Sequence, residues 1–247
     1  MKNRASTVFG VPIEGEGLET LLNRVRNTPE GQAVWIVTAN PEILLAAKED
    51  PAYAATIKRA DVRCIDGFGL RLMLSLSGRQ ANRVTGVALA EALIRLSVEK
   101  GWRVAFVGGD DPEVGMRAAS LWKKRFPKFD VLVEHGGRVG KDGEIDDAGQ
   151  EALFRLRSFA PDIVLAAFGH PKQERWIERQ RQFFSEARCF VGIGGTLDYW
   201  AGSVRRAPSF LQTVGLEWLW RLTVEPRRWK RIWRAVVVFP LAFLFKR

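Results

Sequence analysis

Asp66 follows the apolar run Val62–Ile65 and precedes Gly67-Phe68-Gly69, which leaves room around a carboxylate at the end of a strand-like segment. A general base is one use of such a group. A helix N-cap for the segment beginning near Phe68 is the competing use. Arg83, in the loop Asn82-Arg83-Val84-Thr85-Gly86 ahead of an amphipathic stretch, suits a diphosphate. By residue type alone a solvated surface arginine is the better fit.

Three turns rich in glycine, at Gly67–Gly69, Gly108-Gly109-Asp110-Asp111 and Gly194-Gly195-Thr196, would let backbone N–H groups approach a phosphate, which favours a nucleotide ligand. Ordinary turn chemistry accounts for any one of them. Leu72 stands where a dinucleotide fingerprint needs its third glycine, and no Walker lysine pattern occurs, so NAD enzymes and P-loop NTPases are disfavoured. His135 and His170 are far apart in sequence, and each reads as structural. No Asp-x-Asp triplet and no Cys/His ligand spacing occurs, so no metal site is expected and cations or backbone dipoles would have to stabilise a leaving phosphate.

The elements that must position these residues are apolar runs of strand length at Ala33–Ala39, Val62–Ile65, Arg103–Val107, Val131–Glu134, Asp162–Ala167 and Cys189–Ile193, alternating with helical periodicity. Pro41, Pro112 and Pro171 each read as a helix opening just after a run. Near-continuous apolar strands separated by helices predict an α/β fold with a mostly parallel sheet. Ligands of such sheets bind beyond the carboxyl ends of the strands, where the glycine turns, Asp66, Thr38-Ala39-Asn40-Pro41 and Gly169-His170-Pro171-Lys172-Gln173 all fall. Cys64 and Cys189 lie within strand runs and are expected to be buried thiols in a reducing cytosol.

Charge is concentrated at one end. From Arg205 onward ten basic residues face only Glu217 and Glu225, so +8 of the formal +10 lies there, with four of the nine tryptophans and a fifth at Trp200. Residues 1–204 are expected to form the α/β domain and 205–247 an appended helical segment. The longest apolar run, Ala235–Phe245, is too short to span a bilayer, and the N-terminus lacks the apolar stretch of a signal peptide. Trp218, Trp220, Trp229 and Trp233 with Arg227, Arg228 and Arg231 suit a helix lying at an anionic membrane surface. A solvated basic helix packed on the domain and a nucleic-acid patch are the competing readings, and five tryptophans exceed what a phosphate-binding helix needs.

Over most of its length the chain resembles the WecG/TagA/CpsF glycosyltransferases. The resemblance rests on Thr38-Ala39-Asn40-Pro41-Glu42, Ile65-Asp66-Gly67, Arg83-Val84-Thr85-Gly86, Phe168 to Glu174, Val191 to Asp198, Arg205-Arg206-Ala207-Pro208 and Gly215 to Leu222. It implies a Rossmann-like domain with helices on both faces of the sheet and a membrane-associating C-terminal appendage. It implies inverting, metal-independent transfer from a UDP-sugar to an undecaprenyl-diphosphate-linked sugar, without a cofactor, at the cytoplasmic face of a bacterial inner membrane. By the same resemblance Asp66 is the base and Arg83 assists the diphosphate. Thr38, Asn40 and Gln173 line the pocket, and Arg221 of the appendage completes it. The donor is left as N-acetylmannosamine, its uronic acid or another hexose, and a homo-oligomer is left open. A nucleic-acid-binding module and a non-catalytic nucleotide-sugar-binding subunit are the alternatives from other classes.

Overall fold

The computed structural model describes residues 6–245 except Glu30, Gln80 and Asp110, and gives only the backbone of Ser209. Asp110 of the second glycine turn and the terminal Lys246 and Arg247 therefore lie outside the described residues. Strands β1 (Ser6–Val8) and β2 (Val11–Ile13) form an antiparallel hairpin. The central sheet consists of β3 (Val34–Ala39), β4 (Val62–Ile65), β5 (Val104–Gly108), β6 (Val131–Glu134), β7 (Ile163–Ala167) and β8 (Cys189–Gly192). Its order is β4-β3-β8-β7-β5-β6, and every pairing is parallel. All six expected strands are present, with ends shifted by at most one residue. The sequence reading did not anticipate the hairpin.

The sheet is buried from both sides because alternate residues enter two cores. Trp35, Val37 and Ala39 of β3 point to one side with Val107, Ala166 and Phe190, under helices Pro41–Glu49, Pro51–Lys58 and Lys172–Gln180. Ile36 points to the other side with Cys64, Phe106, Leu165 and Val191, under helices Leu18–Arg26, Gly86–Lys100 and Pro112–Arg125. This is the doubly covered, Rossmann-like arrangement expected. Pro41 and Pro112 occupy the first helical position, where a missing N–H costs nothing, while Pro171 sits one residue earlier, at the cap. Cys64 and Cys189 are free thiols, and burial pushes both well above the ordinary thiol range.

The hairpin turn places Phe9 and Gly10 at φ 48° and 76°, a left-handed pair that suits a two-residue loop. Strands of three residues are too short for alternation to reveal them. The hairpin is tied to β4, where the Arg63 Nε donates to the Pro12 carbonyl at 2.8 Å and the Arg63 guanidinium pairs with Glu14.

The appendage departs from the single interfacial helix expected from Gly215 to Phe245. It comprises helices Ser209–Thr213 and Glu217–Val224, a 3₁₀ turn Pro226–Arg228, then Trp229–Trp233, a π-helical stretch Arg234–Val238 and a helix Phe239–Leu244. Pro226 disfavours helical backbone at Glu225 and so ends the first long piece. Pro240 lacks an N–H, and the chain before it widens into the π stretch. The final run also contributes to the core. Phe239 is fully buried, its ring edge-on to Phe9 at 5.8 Å and against Phe243 at 6.1 Å, and Ile232 is buried too. Arg231 donates to Glu42 at 2.5 and 3.0 Å and Arg234 to Glu49 at 2.6 Å, both acceptors on the helix Pro41–Glu49. Arg228 pairs with Glu225 at 2.7 Å. Part of the basic charge assigned to lipid is thus spent on carboxylates of the chain itself, whereas Trp229 and Trp233 stand more than half exposed.

Candidate active site

Parallel register brings the strand ends level. Ala39 pairs with Ile65 and Ala167 with Gly108, so Asn40, Asp66, Phe168 and Gly109 emerge along one edge of the sheet. From β4 to β5 are four inter-strand steps, or roughly 19 Å of crevice. Asp66 stands at one end of it and the Gly108-Gly109 turn at the other.

The turn after β4 is packed against the turn after β3. A Cβ on Gly67 would come within 2.5 Å of the Pro41 Cδ, so only glycine allows this approach. Asp66 is not a helix cap: Gly67 occupies the cap of the helix Phe68–Leu76 and no side chain caps it. Instead the Asp66 backbone N–H donates to the Ala39 carbonyl at 2.8 Å, and its carboxylate accepts from the Gly86 N–H. Gly86 is the first residue of the 15-residue helix Gly86–Lys100, capped by Thr85, whose hydroxyl accepts from the Ala88 N–H. The positive end of that helix therefore faces the carboxylate. Burial nonetheless dominates and raises the Asp66 pKa to about 6, opposed by the charges of Arg83 and Arg221 and assisted by Glu217. A half-buried carboxyl poised near 6 is largely ionised at neutral pH and remains basic enough to take a proton.

Arg83 continues the β4 edge through a parallel bridge to Ile65, and the Val84 N–H donates to the Ile65 carbonyl at 2.7 Å. This backbone anchor aims the guanidinium inward, so the solvated-arginine alternative does not describe it. Its Nε donates to the Asp66 carbonyl at 2.7 Å, its Nη1 to the Gln212 carbonyl at 3.3 Å and its Nη2 to Glu217 at 3.4 Å. Glu217 also accepts from the Arg221 Nη2 at 3.2 Å, one helical turn away. Arg221 lies over the Tyr199 ring at 5.4 Å. Burial works against the Arg221 charge, but Tyr199, Glu217 and Asp66 outweigh it and raise its pKa. One carboxylate of the appendage thus holds two guanidinium groups beside Asp66, one from each part of the chain.

Along the crevice, the Thr38 hydroxyl donates to the Gly192 carbonyl at 3.2 Å. Asn40 caps the helix Pro41–Glu49, its Oδ1 accepting the Ile43 N–H at 3.0 Å. Gln173 is buried over Gly192, where a Cβ would come within 2.5 Å of its Nε2. Its Oε1 accepts the Gly194 N–H at 3.1 Å and its Nε2 donates to Glu174 at 2.7 Å. The Tyr53 hydroxyl donates to the other Glu174 oxygen at 3.0 Å. Burial raises the pKa of Glu174, against these two hydrogen bonds. Gly194 adopts φ 52° and Gly108 and Gly109 adopt 98° and 111°, so these two turns use backbone suited to glycine. Among the described residues no three His, Cys, Asp or Glu side chains converge as metal ligands would. His170 lies 3.9 Å from Glu42, at the seam where Arg231 docks.

Asp66, Arg83 and Arg221 therefore meet at one point, whereas Gly108 and Gly109 lie at the far end of the same edge. Glu217, Tyr199 and the Tyr53–Glu174 pair were not singled out from the sequence. For Glu217 a signal existed, since it precedes Arg221 by four residues on a helical stretch.

A carboxylate backed by two arginines in a crevice of glycine turns has the groups that transfer with an anionic leaving group needs. The family model described as "Glycosyl transferase WecG/TagA/CpsF family" matches residues 6–247. The chain belongs to this family, and it is a glycosyltransferase. It is 33% identical over 204 residues, 82% of this chain and 76% of the relative, to an N-acetylglucosaminyldiphosphoundecaprenol N-acetyl-beta-D-mannosaminyltransferase of Bacillus spizizenii. It is 29% identical over 231 residues, 92% of this chain and 86% of the relative, to a protein of the same description from Staphylococcus aureus.

Proposed function

We propose that this WecG/TagA/CpsF-family enzyme transfers a hexose, N-acetylmannosamine in the first instance, from a UDP-sugar to an undecaprenyl-diphosphate-linked sugar with inversion and without a metal. The convergence of Asp66, Arg83 and Arg221 carries this reading. The acceptor hydroxyl gives its proton to the Asp66 carboxylate as its oxygen bonds to the anomeric carbon. The anomeric C–O bond to the diphosphate breaks on the opposite face, and UDP leaves with the bonding pair. Arg83 and Arg221 offset the charge that develops on the diphosphate, the task a metal ion performs elsewhere. Thr38, Asn40, Gln173 and the Gly194-Gly195 and Gly108-Gly109 turns would line the remainder of the donor site.

The relatives' descriptions name a lipid-linked acceptor, which supports a peripheral position on the membrane; the cytoplasmic face belongs to the proposal through its UDP-sugar donor. No helix among the described residues is long and apolar enough to cross a bilayer. Family membership favours catalysis over the nucleic-acid and non-catalytic alternatives. The test is product formation from a panel of UDP-sugars on a polyprenyl-diphosphate-linked N-acetylglucosamine, with and without excess EDTA. Transfer from a UDP-sugar in EDTA, with inverted anomeric configuration, is expected. No transfer from any donor would refute the activity, retention would refute the role of Asp66 as base, and rescue only by added magnesium or manganese would refute metal independence.

A further inference from the structure

We infer that the helix Phe68–Leu76 is itself a membrane-contacting element, with Leu72 and Leu76 entering the acyl region and Arg71 and Arg79 holding lipid phosphate. The inference rests on the peripheral-membrane reading above and moves part of the footprint from the appendage onto the catalytic domain.

The helix is amphipathic in an unusual sense. Leu70, Met73 and Leu74 face the core, as expected of a surface helix. The opposite side is not polar: Leu72 is 42% and Leu76 71% exposed, one turn apart on the same face. Beside this row Arg71, Ser75, Gly78, Arg79, Ala81 and Asn82 line a shallow, open cleft of about 470 Å³. Arg71 and Arg79 are exposed, and neither guanidinium has an acidic partner among the described residues. In that they differ from Arg83, Arg231 and Arg234, which are all paired. Two unpaired arginines flanking a cleft next to two protruding leucines complement an anionic headgroup above an acyl chain.

Position supports the same occupant. The appendage packs along this helix: Phe239–Leu244 lies against it, Gly215 sits on the Phe68 ring where a Cβ would come within 2.4 Å, and Gly69 faces the Ala235 carbonyl. Leu241, Leu244 and Phe245 are 50%, 64% and 68% exposed, which extends the apolar surface from the helix onto the appendage. The helix begins two residues after Asp66. A bilayer resting on Leu72 and Leu76 would therefore hold the base near the headgroup layer, where the diphosphate of a lipid-linked acceptor lies.

The full-length protein is tested by co-sedimentation with phosphatidylcholine vesicles, with and without phosphatidylglycerol, at low and high salt. Arg71→Gln with Arg79→Gln should lower partitioning to the anionic vesicles by about 30-fold, from about 1 kcal/mol per basic residue near the surface, and high salt should abolish the difference. Leu72→Ser with Leu76→Ser should lower partitioning to both vesicle types in high salt as well. Both double variants should keep the wild-type circular dichroism and the wild-type rate with a water-soluble acceptor analogue. Wild-type partitioning by both variants would overturn the inference while leaving the appendage as the anchor. A leucine variant that turns an oligomer into a monomer with vesicle binding unchanged would overturn it in favour of a second copy of the chain. Failure of the wild-type protein to sediment with any vesicle would instead refute the peripheral-membrane reading itself.

Discussion

Replacing Asp66 by asparagine should make the enzyme slower and its fold more stable, and the stability gain should depend on pH in a fixed direction. Burial raises the carboxyl from the ordinary 3.8 to about 6, so the folded state prefers the neutral acid. A carboxyl raised in this way contributes its stability below pH 3.8 and loses it as pH climbs through 6. Above that range the ionised group costs the fold about 3 kcal/mol as an upper figure, from 1.36 kcal/mol per tenfold change in proton affinity. Asp66 retains part of its surface in solvent, which screens the charge and brings the expected cost to about 1–3 kcal/mol. The amide oxygen of asparagine can still accept the Gly86 N–H, so the substitution removes the charge and little else. In a chain of this size each kcal/mol moves the melting temperature by about 2–4 °C, so the variant should melt about 2–12 °C higher at pH 8 and level with wild type at pH 4. Transfer should fall about 100-fold or more, and wild-type kcat/KM should rise with pH up to about 6 and flatten above it. Melting curves of both proteins from pH 4 to 8 are the assay. A gap that is constant with pH, or that widens on acidification, would refute the burial argument, and wild-type turnover in the variant would refute the catalytic role.

Three further outcomes follow from the same geometry. Arg83→Ala should lower transfer about 100-fold at saturating acceptor, the usual scale for losing one donor to a developing anion, with far-ultraviolet circular dichroism unchanged; unaltered steady-state kinetics would exclude the role. Gly67→Ala should lower stability by about 1–3 kcal/mol, since its Cβ would lie 2.5 Å from the Pro41 Cδ, and thermal unfolding would show it. Tyr53→Phe leaves the buried Glu174 with one donor fewer and should cost about 1–3 kcal/mol in urea unfolding, with a smaller effect on kcat than Asp66→Asn because Glu174 touches the crevice only through Gln173.

What could be read from the sequence divides by the range of the interaction responsible. The central strands were legible because burial on both faces leaves uninterrupted apolar runs such as Val62–Ile65, and helices after β3 and β5 were legible because Pro41 and Pro112 mark their first residues. Asp66 could be placed at a strand end, but the cap alternative could not be set aside, because that turns on Gly67 taking the cap of the helix Phe68–Leu76 and on Gly86, twenty positions away, standing beside the carboxylate. The appendage shows the same limit from the other side. Its tryptophans and arginines were visible as composition, and composition favoured one surface helix. The structure divides that stretch at Pro226 and before Pro240, turns Phe239 into the core, and pairs Arg231 and Arg234 with Glu42 and Glu49.

These contacts alter what removal of the appendage would mean. Cutting the chain at Gly215 would take away Phe239 from beneath Phe9, leave Glu42 and Glu49 without Arg231 and Arg234, and strip Arg83 of the Glu217 carboxylate. Loss of membrane binding and of activity together would then follow from an uncovered core as readily as from a missing anchor. The two roles are separable only at side chains that face solvent and touch neither core nor site. Trp229 and Trp233, both more than half exposed, meet that condition, whereas Trp220, whose Nε1 donates to the Arg205 carbonyl at 3.0 Å, does not. An appendage that merely anchors would tolerate any sequence of similar amphipathicity. One that carries Glu217 and Arg221 to the side of Asp66 cannot, because their spacing on one helical turn is what lets a single carboxylate hold an arginine from each part of the chain.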